Sequence, residues 1–489
     1  KTFVMGHAIQ GCQCPTLLLA PNKVLVAQLY HELKGLFPHN RVEYFVSYYD
    51  YFRPESYNSA ADLYLDKLSQ VNANIDRMRH SATRSLFERR DTIVVASISC
   101  IYGLGMPEEY LEQARLFQVG EDIWLQHLHD TLRALRFRHG SEGSDMMGNL
   151  ERGTYSLSSG DRVADGNVTL CVALPHEESV LCLQLSPSVK TSALAAEDTQ
   201  YCILSMELNG IDGNGPDASG GRSEAIEQFV LYPASHHVMP ADEKERILAG
   251  IQAEMEGVVG KLLGEGERLK AQRLTSRVGR DLEELREKEF CKGVENYSRH
   301  FSGRRPGQPP ACLLDYFPEG DWLLLVDESH ITVSQLRAMH AADRKRKSAL
   351  VEHGYRLPSA LDNRPLTEEE FWGRVPQCVF VSATPGKFEA ARVSPEDVVQ
   401  LVQRPTGILD PRVEVRPRSG QMDDLLAEVY SRISRRERCL VVTLTKRMSE
   451  ELSTVLNTHG IRADWMHSGV KVAPNPLLSA VLRFHTFQI

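Results

Sequence analysis

At Leu323–His330 the sequence reads LLLVDESH, an apolar run that stops at two adjacent carboxylates. Phosphoryl transfer asks for that arrangement: a strand-end aspartate holds Mg2+, and a neighbouring group orients the attacking water. Asp327 suits the first role and Glu328 the second. Alone, an Asp-Glu pair after a buried strand reads as a solvated acidic turn. Two further features shift the weighing. VSATP, Val381–Pro385, comes after another apolar run, and its Ser382 and Thr384 hydroxyls, with His330, are suited to couple a nucleotide site to a nucleic-acid groove. Lys1-Thr2 precedes a helix-compatible run, Phe3–Ile9, as the Lys-Ser/Thr end of a phosphate loop does. Those two residues are candidates for ATP binding, with Thr2 joining Asp327 on Mg2+. The dipeptide gains weight only from its order with DESH and SATP.

Groups of this kind need a parallel sheet to present them, and the hydrophobic pattern supplies one. TLLLA (Thr16–Ala20) and TIVVAS (Thr92–Ser97) are short continuous apolar runs, the signature of strands buried on both faces. Val24–Phe37 places Val26, Leu29, Leu33 and Leu36 on a helical stripe. Apolar runs return at Trp322–Val326 and Cys378–Ser382. Such alternation predicts an α/β fold with active groups at the carboxyl ends of the strands. The chain divides into four parts. Residues 1–112 form a first motor lobe, with a β-hairpin at about 46–74. Residues 113–228 form an inserted β-rich domain, whose strands are YSLSS, VTLCVAL and VLCLQL, with Gly/Asp/Ser-rich loops at 139–145 and 209–221. Residues 229–400 hold a helical subdomain, striped by Ile247, Ile251, Met255, Val258 and Leu262, and the rest of the first lobe. Residues 401–489 read as part of a second lobe, with strands at Leu440–Thr443 and Ala463–Met466 around a helix at Met448–Leu456.

Tyr44–Tyr64 contains eight aromatic residues, where the chain's 7% aromatic content would place roughly 1.5. Asp50, Arg53, Glu55, Asn58 and Ser59 interleave with the rings, a mixture poor for burial and good for a ribbon whose rings stack on bases. The net charge of −9 excludes nucleic-acid binding through the overall field, so contact must be local. Arg344–Lys347 and Arg435-Arg436 could track phosphates, although a solvated helix face explains them equally well. Ten scattered cysteines without metal-ligand spacing predict reduced thiols and a cytoplasmic setting. No apolar run is long enough to span a bilayer, so no membrane association is expected.

Longer segments resemble the UvrB family, the helicase-like, damage-verifying subunit of nucleotide excision repair. The resemblance rests on residues 20–57, 79–105, GVENYSRH (293–300), LLDYFPEG (313–320), VDESHITVSQLRAM (326–339), HGYRLPSALDNRPLT (353–367), VSATPG (381–386) and RPTGILDPRVEVRP (404–417). It implies RecA-like motor lobes, with a parallel sheet covered by helices on both faces, hydrolysis of ATP with Mg2+, and a hairpin that clamps one DNA strand. It matches Tyr48, Tyr49, Tyr51 and Phe52 to ring positions near the hairpin base, and Tyr57 and Tyr64 to positions nearer the tip. Lys67 matches a hairpin lysine, and Ser97 and Ser99 a strand-end pair near the bound strand. Phe52 stands where a Tyr is usual. The resemblance also implies damaged DNA as substrate, UvrA as the loader docking on the inserted domain, and UvrC as the recruited nuclease. The inserted domain resembles the family only weakly, which weakens the expectation for UvrA.

The sequence departs from the family at both ends. No Gly-rich loop precedes Lys1. Residues 471–489 carry only Arg483 and no Q-x-x-G-R-x-x-R arginine helix, and the usual UvrC-docking segment is absent. An arginine of that kind is worth about 10³–10⁵ in rate, so the chain as written is expected to turn over ATP slowly or not at all. The alternative reading is a catalytically inactive UvrB-like paralogue or fragment that binds DNA or partners. A general DNA translocase is a third reading, opposed by the aromatic ribbon and by GVENYSRH.

Overall fold

The computed structural model describes residues 1–140, 150–159, 166–188, 199–210, 223–236, 243–288, 290–402, 407 and 409–466. Most of the two Gly-rich loops, and the segment containing Arg483, lie outside the described residues.

The first lobe begins with α1 (Thr2–Cys12), β1 (Thr16–Ala20), α2 (Lys23–Leu36) and β2 (Arg41–Phe45). The hairpin strands are next: β3 (Tyr49–Arg53), β4 (Ser56–Asn58), β5 (Leu63–Leu65) and β6 (Leu68–Val71). Then come α3 (Ala73–Glu88) and β7 (Thr92–Ser97). Two strands far along the chain, Leu323–Asp327 and Gln377–Val381, complete a five-stranded parallel sheet in the order Gln377–Val381, Leu323–Asp327, β1, β7, β2.

The continuous apolar runs have a direct structural meaning. Within one core cluster lie Leu17, Leu19, Val94, Ala96, Leu324 and Val326; in another lie Leu18, Ala20, Ile93, Val95, Leu323 and Leu325. Alternate residues therefore point to opposite faces, and both faces are covered. Each leucine so buried contributes about 1.5–3 kcal/mol. The edge strand Gln377–Val381 is the exception, with Val379 exposed.

Because all five strands are parallel, their carboxyl ends share one edge. Asp327 ends its strand, Ser97 ends β7, Ser382 comes directly after Val381, and β2 leads through Val46 into Tyr48. Topology thus collects residues scattered over more than 330 positions. The strand carrying Asp327 lies three strands from β2, about 14 Å at the usual spacing.

The inserted domain is a sheet, antiparallel except where Arg138–His139 pairs in parallel with Thr154–Ser159, with the helix Leu125–Ala134 packed on it through Leu128 and Leu132. Its strands Thr154–Ser159, Val168–Ala173 and Ser179–Pro187 coincide with the three runs read from sequence. The strand Gln228–Leu231 pairs with Arg115–Gln118, and Phe229 and Leu231 join the insert's core, so this unit extends beyond residue 228. It meets α3 through a stack of His80 on His236 at 4.0 Å, and through Arg84–Glu177 and Arg77–Glu178 pairs at 3.2 and 3.1 Å.

The helical subdomain is a pair of long helices, Lys244–Gly264 and Arg268–Lys288, joined through Gly266 at φ 81°, a left-handed turn that glycine takes without cost. Ile247 and Ile251 are buried against Leu274, Val278, Leu282 and Leu285, while Met255, Val258 and Leu262 pack at the margin.

In the last part the helices Gln421–Ser434 and Lys446–Thr458 form and share Val429, Leu456 and Ile461. The strands expected at Leu440–Thr443 and Ala463–Met466 do not form among the described residues. A strand requires a lateral partner, and the backbone of Ala463 is engaged otherwise. Its carbonyl accepts from Ser453 Oγ and Asn457 Nδ2, and its N–H donates to Asn457 Oδ1. Leu440 and Val442 remain 75% and 85% exposed. No helix of the described residues is long and apolar enough to cross a membrane.

Candidate functional site

The strand Leu323–Asp327 delivers Asp327 to the sheet edge with 4% of its surface exposed. Glu328 then takes a left-handed conformation, φ 44° and ψ 51°, and the helix Ser329–Glu352 begins. A non-glycine residue there costs about 1–2 kcal/mol, so the sharp turn that exposes the Glu328 carboxylate is held by its surroundings. Thr332 Oγ1 donates to the Asp327 carbonyl at 2.7 Å, and Gln335 Nε2 donates to the Pro21 carbonyl at 3.1 Å. These bonds fix the helix start against β1.

Lys1 forms ion pairs with both carboxylates, at 3.7 Å from Asp327 Oδ1 and directly with Glu328. Burial pushes the Asp327 carboxyl above its ordinary range, and the Lys1 charge pulls it back. Asp327 Oδ1 is buried without a hydrogen-bond partner. An unsatisfied buried carboxylate oxygen beside a flexible lysine suits a hard divalent ion. The donor set therefore fits Mg2+ at Asp327, with Thr2 opening α1 next to Lys1.

The coupling residues also meet. His330 Nδ1 and Ser382 Oγ share a 2.7 Å hydrogen bond, His330 lies 3.7 Å from Glu328, and the Thr384 N–H donates to Ser382 Oγ at 3.1 Å. The fully buried Ser329 donates to Glu389 at 2.5 Å, and Glu389 in turn accepts from the Gly386 N–H at 3.0 Å. The DESH and SATP turns are thereby bound together across neighbouring strands.

The hairpin rises from the same edge. β3 pairs with β6, with a bulge between Tyr49 and Tyr51, and β4 pairs with β5. At its base the Tyr48 and Tyr49 hydroxyls are 2.8 Å apart, and Phe52 stacks on Tyr49 at 4.7 Å. Lys67 Nζ sits 5.6 Å over the Tyr49 ring and pairs with Glu295 at 2.5 Å. Tyr51 and Phe52 each stay 49% exposed. Beneath them the buried Arg79 guanidinium lies 4.0 Å from the Phe45 ring centre and donates to the Val46 carbonyl. Ser97 and Ser99 share a 2.9 Å hydrogen bond at the end of β7.

The tip is built differently. Tyr64 stacks on Tyr355 at 4.4 Å, and Tyr57 packs on His353 and Tyr355 at 4.6 and 5.1 Å. The Tyr64 hydroxyl donates to Glu55 at 2.5 Å, and Arg356 Nε donates to the same carboxylate at 2.8 Å. Arg356 also faces Asp281 at 3.5 Å, which accepts from the Tyr297 hydroxyl at 2.6 Å. Beside this joint lies a cleft of about 210 Å³ lined by Tyr64, Tyr355, Arg273, Ser276, Arg277 and Arg280. It offers ring faces and guanidinium groups together.

Lys1, Thr2, Asp327, Glu328, His330, Ser382 and Thr384 thus gather toward one end of the sheet edge, and the base rings with Lys67, Ser97 and Ser99 toward the other, while Tyr57 and Tyr64 lie at the tip against His353 and Tyr355 and the basic runs Arg344–Lys347 and Arg435-Arg436 belong to neither group. Sequence reasoning gave no role to Arg79, Asp281, Tyr355 or Arg356, and it counted Glu55 among polar residues poor for burial, whereas the ion pair with Arg356 lets Glu55 be buried. Tyr355 and Arg356 lie within HGYRLPSALDNRPLT, so their segment was visible although their partners were not.

The chain is similar to known proteins along nearly its whole length. A family model of the UvrB third helical domain matches residues 242–303, which hold the long helix pair and the GVENYSRH segment. The UvrABC system protein B of Acaryochloris marina is 45% identical over 489 residues, covering 100% of this chain and 68% of that protein. Those of Gloeothece citriformis and Gloeobacter violaceus are 46% and 43% identical, covering 96% and 100% of this chain and 65% and 68% of theirs. The chain therefore spans about two thirds of the length of the curated relatives it matches. With identity of this order carried across both the sheet and the hairpin, the chain belongs to the UvrB family.

Proposed function

We propose that this chain serves nucleotide excision repair as a damage-verifying subunit, in which the hairpin clamps one DNA strand while ATP at the sheet edge drives local strand separation. One observation carries the reading: the exposed base rings of the hairpin and the paired carboxylates spring from the same carboxyl edge of one parallel sheet. A change at Asp327 and Glu328 can reach the hairpin through three rigid strands. The tip is fastened through the Tyr64–Tyr355 stack and the Glu55–Arg356 pair, which holds the hairpin in place over the sheet edge.

When bound, Mg2+ and ATP supply the transferable phosphoryl group and the cation that neutralises its charge. Asp327 and Thr2 would hold the cation, and Lys1 would leave the carboxylates for phosphate oxygens. Glu328, freed from Lys1, orients water. His330 and Ser382 carry the change to the neighbouring turn. Tyr51 and Phe52 stack on bases, Tyr48, Tyr49 and Lys67 support them, and Ser97 and Ser99 face the strand. Tyr57 and Tyr64 hold the tip, next to an arginine cleft suited to the backbone beyond it. A bulky lesion is sensed because the distorted strand cannot pass Tyr51 and Phe52. UvrA, docking on the inserted domain, and UvrC are the partners this reading implies.

The test is anisotropy of a labelled single strand, and of a duplex with one bulky adduct, against the intact chain with and without Mg2+ and ATP. The adducted duplex is expected to bind more tightly than its undamaged twin, with Tyr51→Ala and Phe52→Ala removing the difference. Asp327→Asn is expected to lose the Mg2+-dependent nucleotide response while retaining single-strand binding. Equal binding of damaged and undamaged duplex by the unaltered chain would overturn the reading.

A further inference from the structure

We infer that Cys171 and Cys182, directly opposed on two strands of the inserted domain, form a modification site: a thiol pair that a two-electron oxidant such as a peroxide converts to a cross-strand disulfide. Val168–Ala173 and Ser179–Pro187 pair antiparallel with Cys171 opposite Cys182, Val172 opposite Leu181 and Ala173 opposite Val180. The Leu174 N–H donates to the Ser179 carbonyl at 3.1 Å, which makes Leu174 and Ser179 a hydrogen-bonded pair. Hydrogen-bonded and non-hydrogen-bonded pairs alternate along an antiparallel ladder. Val172:Leu181 is then hydrogen-bonded, and Cys171:Cys182 falls on a non-hydrogen-bonded site.

At such a site the Cα atoms are about 4.5 Å apart and the side chains lie closest, within the roughly 4.4–6.8 Å that a disulfide spans. The two Sγ atoms are 2.9 Å apart. Closing the bond needs an approach of about 0.9 Å by two atoms already in contact. Leu150, Ala173 and Val180 enclose the pair in a small apolar cluster. The shared hydrogen bond is the largest influence on both sulfurs, drawing the Cys182 thiol down and pushing the Cys171 thiol up.

The Cys182 thiolate attacks the peroxide, the O–O bond breaks, Cys182 becomes a sulfenic acid, and the departing hydroxide takes up the proton that the Cys182 thiol had released and leaves as the first water. Cys171 attacks that sulfur, the S–O bond breaks, the S–S bond forms, and a second water departs with the thiol proton. Two thiols lose two electrons and two hydrogens, and the peroxide is reduced to two waters.

The bond would close the root of the hairpin 171–182. Its turn carries Glu177 and Glu178, which pair with Arg84 and Arg77 of α3. Oxidation would therefore stiffen the finger by which the insert grips the nucleotide lobe, independently of how that lobe uses ATP.

The experiment uses the whole chain treated with hydrogen peroxide, quenched, unfolded, blocked with one alkylating reagent, then reduced and labelled with a heavier one. Cys171 and Cys182 are expected to take the heavy label together. The unreduced digest is expected to contain their two peptides joined, with the loss of two hydrogens. In Cys171→Ser, Cys182 is expected to lose the cross-link and advance to sulfinic acid. Blocking of both residues by the first reagent, or pairing of either with one of the other eight cysteines, would overturn the inference.

Discussion

The two ends of the hairpin carry the same kind of side chain in opposite states. At the base, Tyr51 and Phe52 hold half their surface open to solvent, supported from below by Tyr48, Tyr49 and Arg79. At the tip, Tyr57 and Tyr64 have their faces against His353 and Tyr355, and Glu55 is buried in an ion pair with Arg356. Aromatic content alone does not distinguish a reading surface from a fastening. The partners do. Phe52 stacks on Tyr49 alone and stays half exposed, as does Tyr51, which leaves ring surface for a base; the tip rings have spent theirs on His353 and Tyr355.

The largest test of that contrast is Arg356→Ala. It removes the nearer cation from the buried Glu55 and Asp281 and leaves them only Arg277, at 3.8 and 3.9 Å; breaking a buried pair costs about 3–5 kcal/mol, and the lower end is expected here. Urea unfolding combined with hydrogen exchange is expected to place the loss at the tip and at the helix Arg268–Lys288, with the parallel sheet unaffected. A loss below about 1 kcal/mol would mean that the tip is not fastened there.

Next is Tyr64→Phe. The ring stack on Tyr355 stays, while the hydroxyl bond to Glu55 goes. For a half-buried bond to a charged acceptor the expected loss is about 1–2 kcal/mol. Single-strand affinity is expected to remain unchanged. A fall in affinity without a fall in stability would make Tyr64 a reading residue and erase the difference between the two ends.

The contrast also shows what sequence alone could carry. The parallel sheet was legible because burial on both faces leaves an unmistakable mark: TLLLA and TIVVAS have no polar position to alternate with. The placement of the candidate site was legible for a related reason, since Asp327, Glu328 and Ser382 sit where strands end and apolar runs stop. The aromatic ribbon could be found from its density, but the division between base and tip could not. It depends on Glu55 meeting Arg356 across 301 positions, and no local period records such a pairing. The failure at Ala463 is the same lesson reversed. An apolar stretch with strand composition is diverted when Asn457 bonds both its N–H and its carbonyl, a competition between side chain and ladder that composition does not reveal.

At the base, Phe52→Ala is expected to leave stability within about 0.5 kcal/mol, because the ring is half exposed and only Tyr49 stacks on it. Single-strand binding is expected to weaken by about 1–3 kcal/mol, the usual worth of one base-stacking ring. The pattern is the inverse of Tyr64→Phe. Destabilisation on the scale of Arg356→Ala would show that the base, too, is a fastening.

The finest distinction comes from Phe52→Tyr, which adds the hydroxyl that the family resemblance leads one to expect at this position. Stacking on Tyr49 at 4.7 Å is kept, and the added oxygen projects from a ring with 49% of its surface already in water. Folding therefore has nothing to gain from it, and the urea midpoint is expected to stay where it is. A bound strand can gain, because a phenol reaching a phosphate or base edge adds about 0.5–1.5 kcal/mol when it replaces a water contact. Anisotropy titrations of the two chains with the same oligonucleotide, at matched salt, separate these outcomes. Tighter binding at constant stability would place Phe52 on the strand's path; equal binding would confine its role to holding Tyr49 in place.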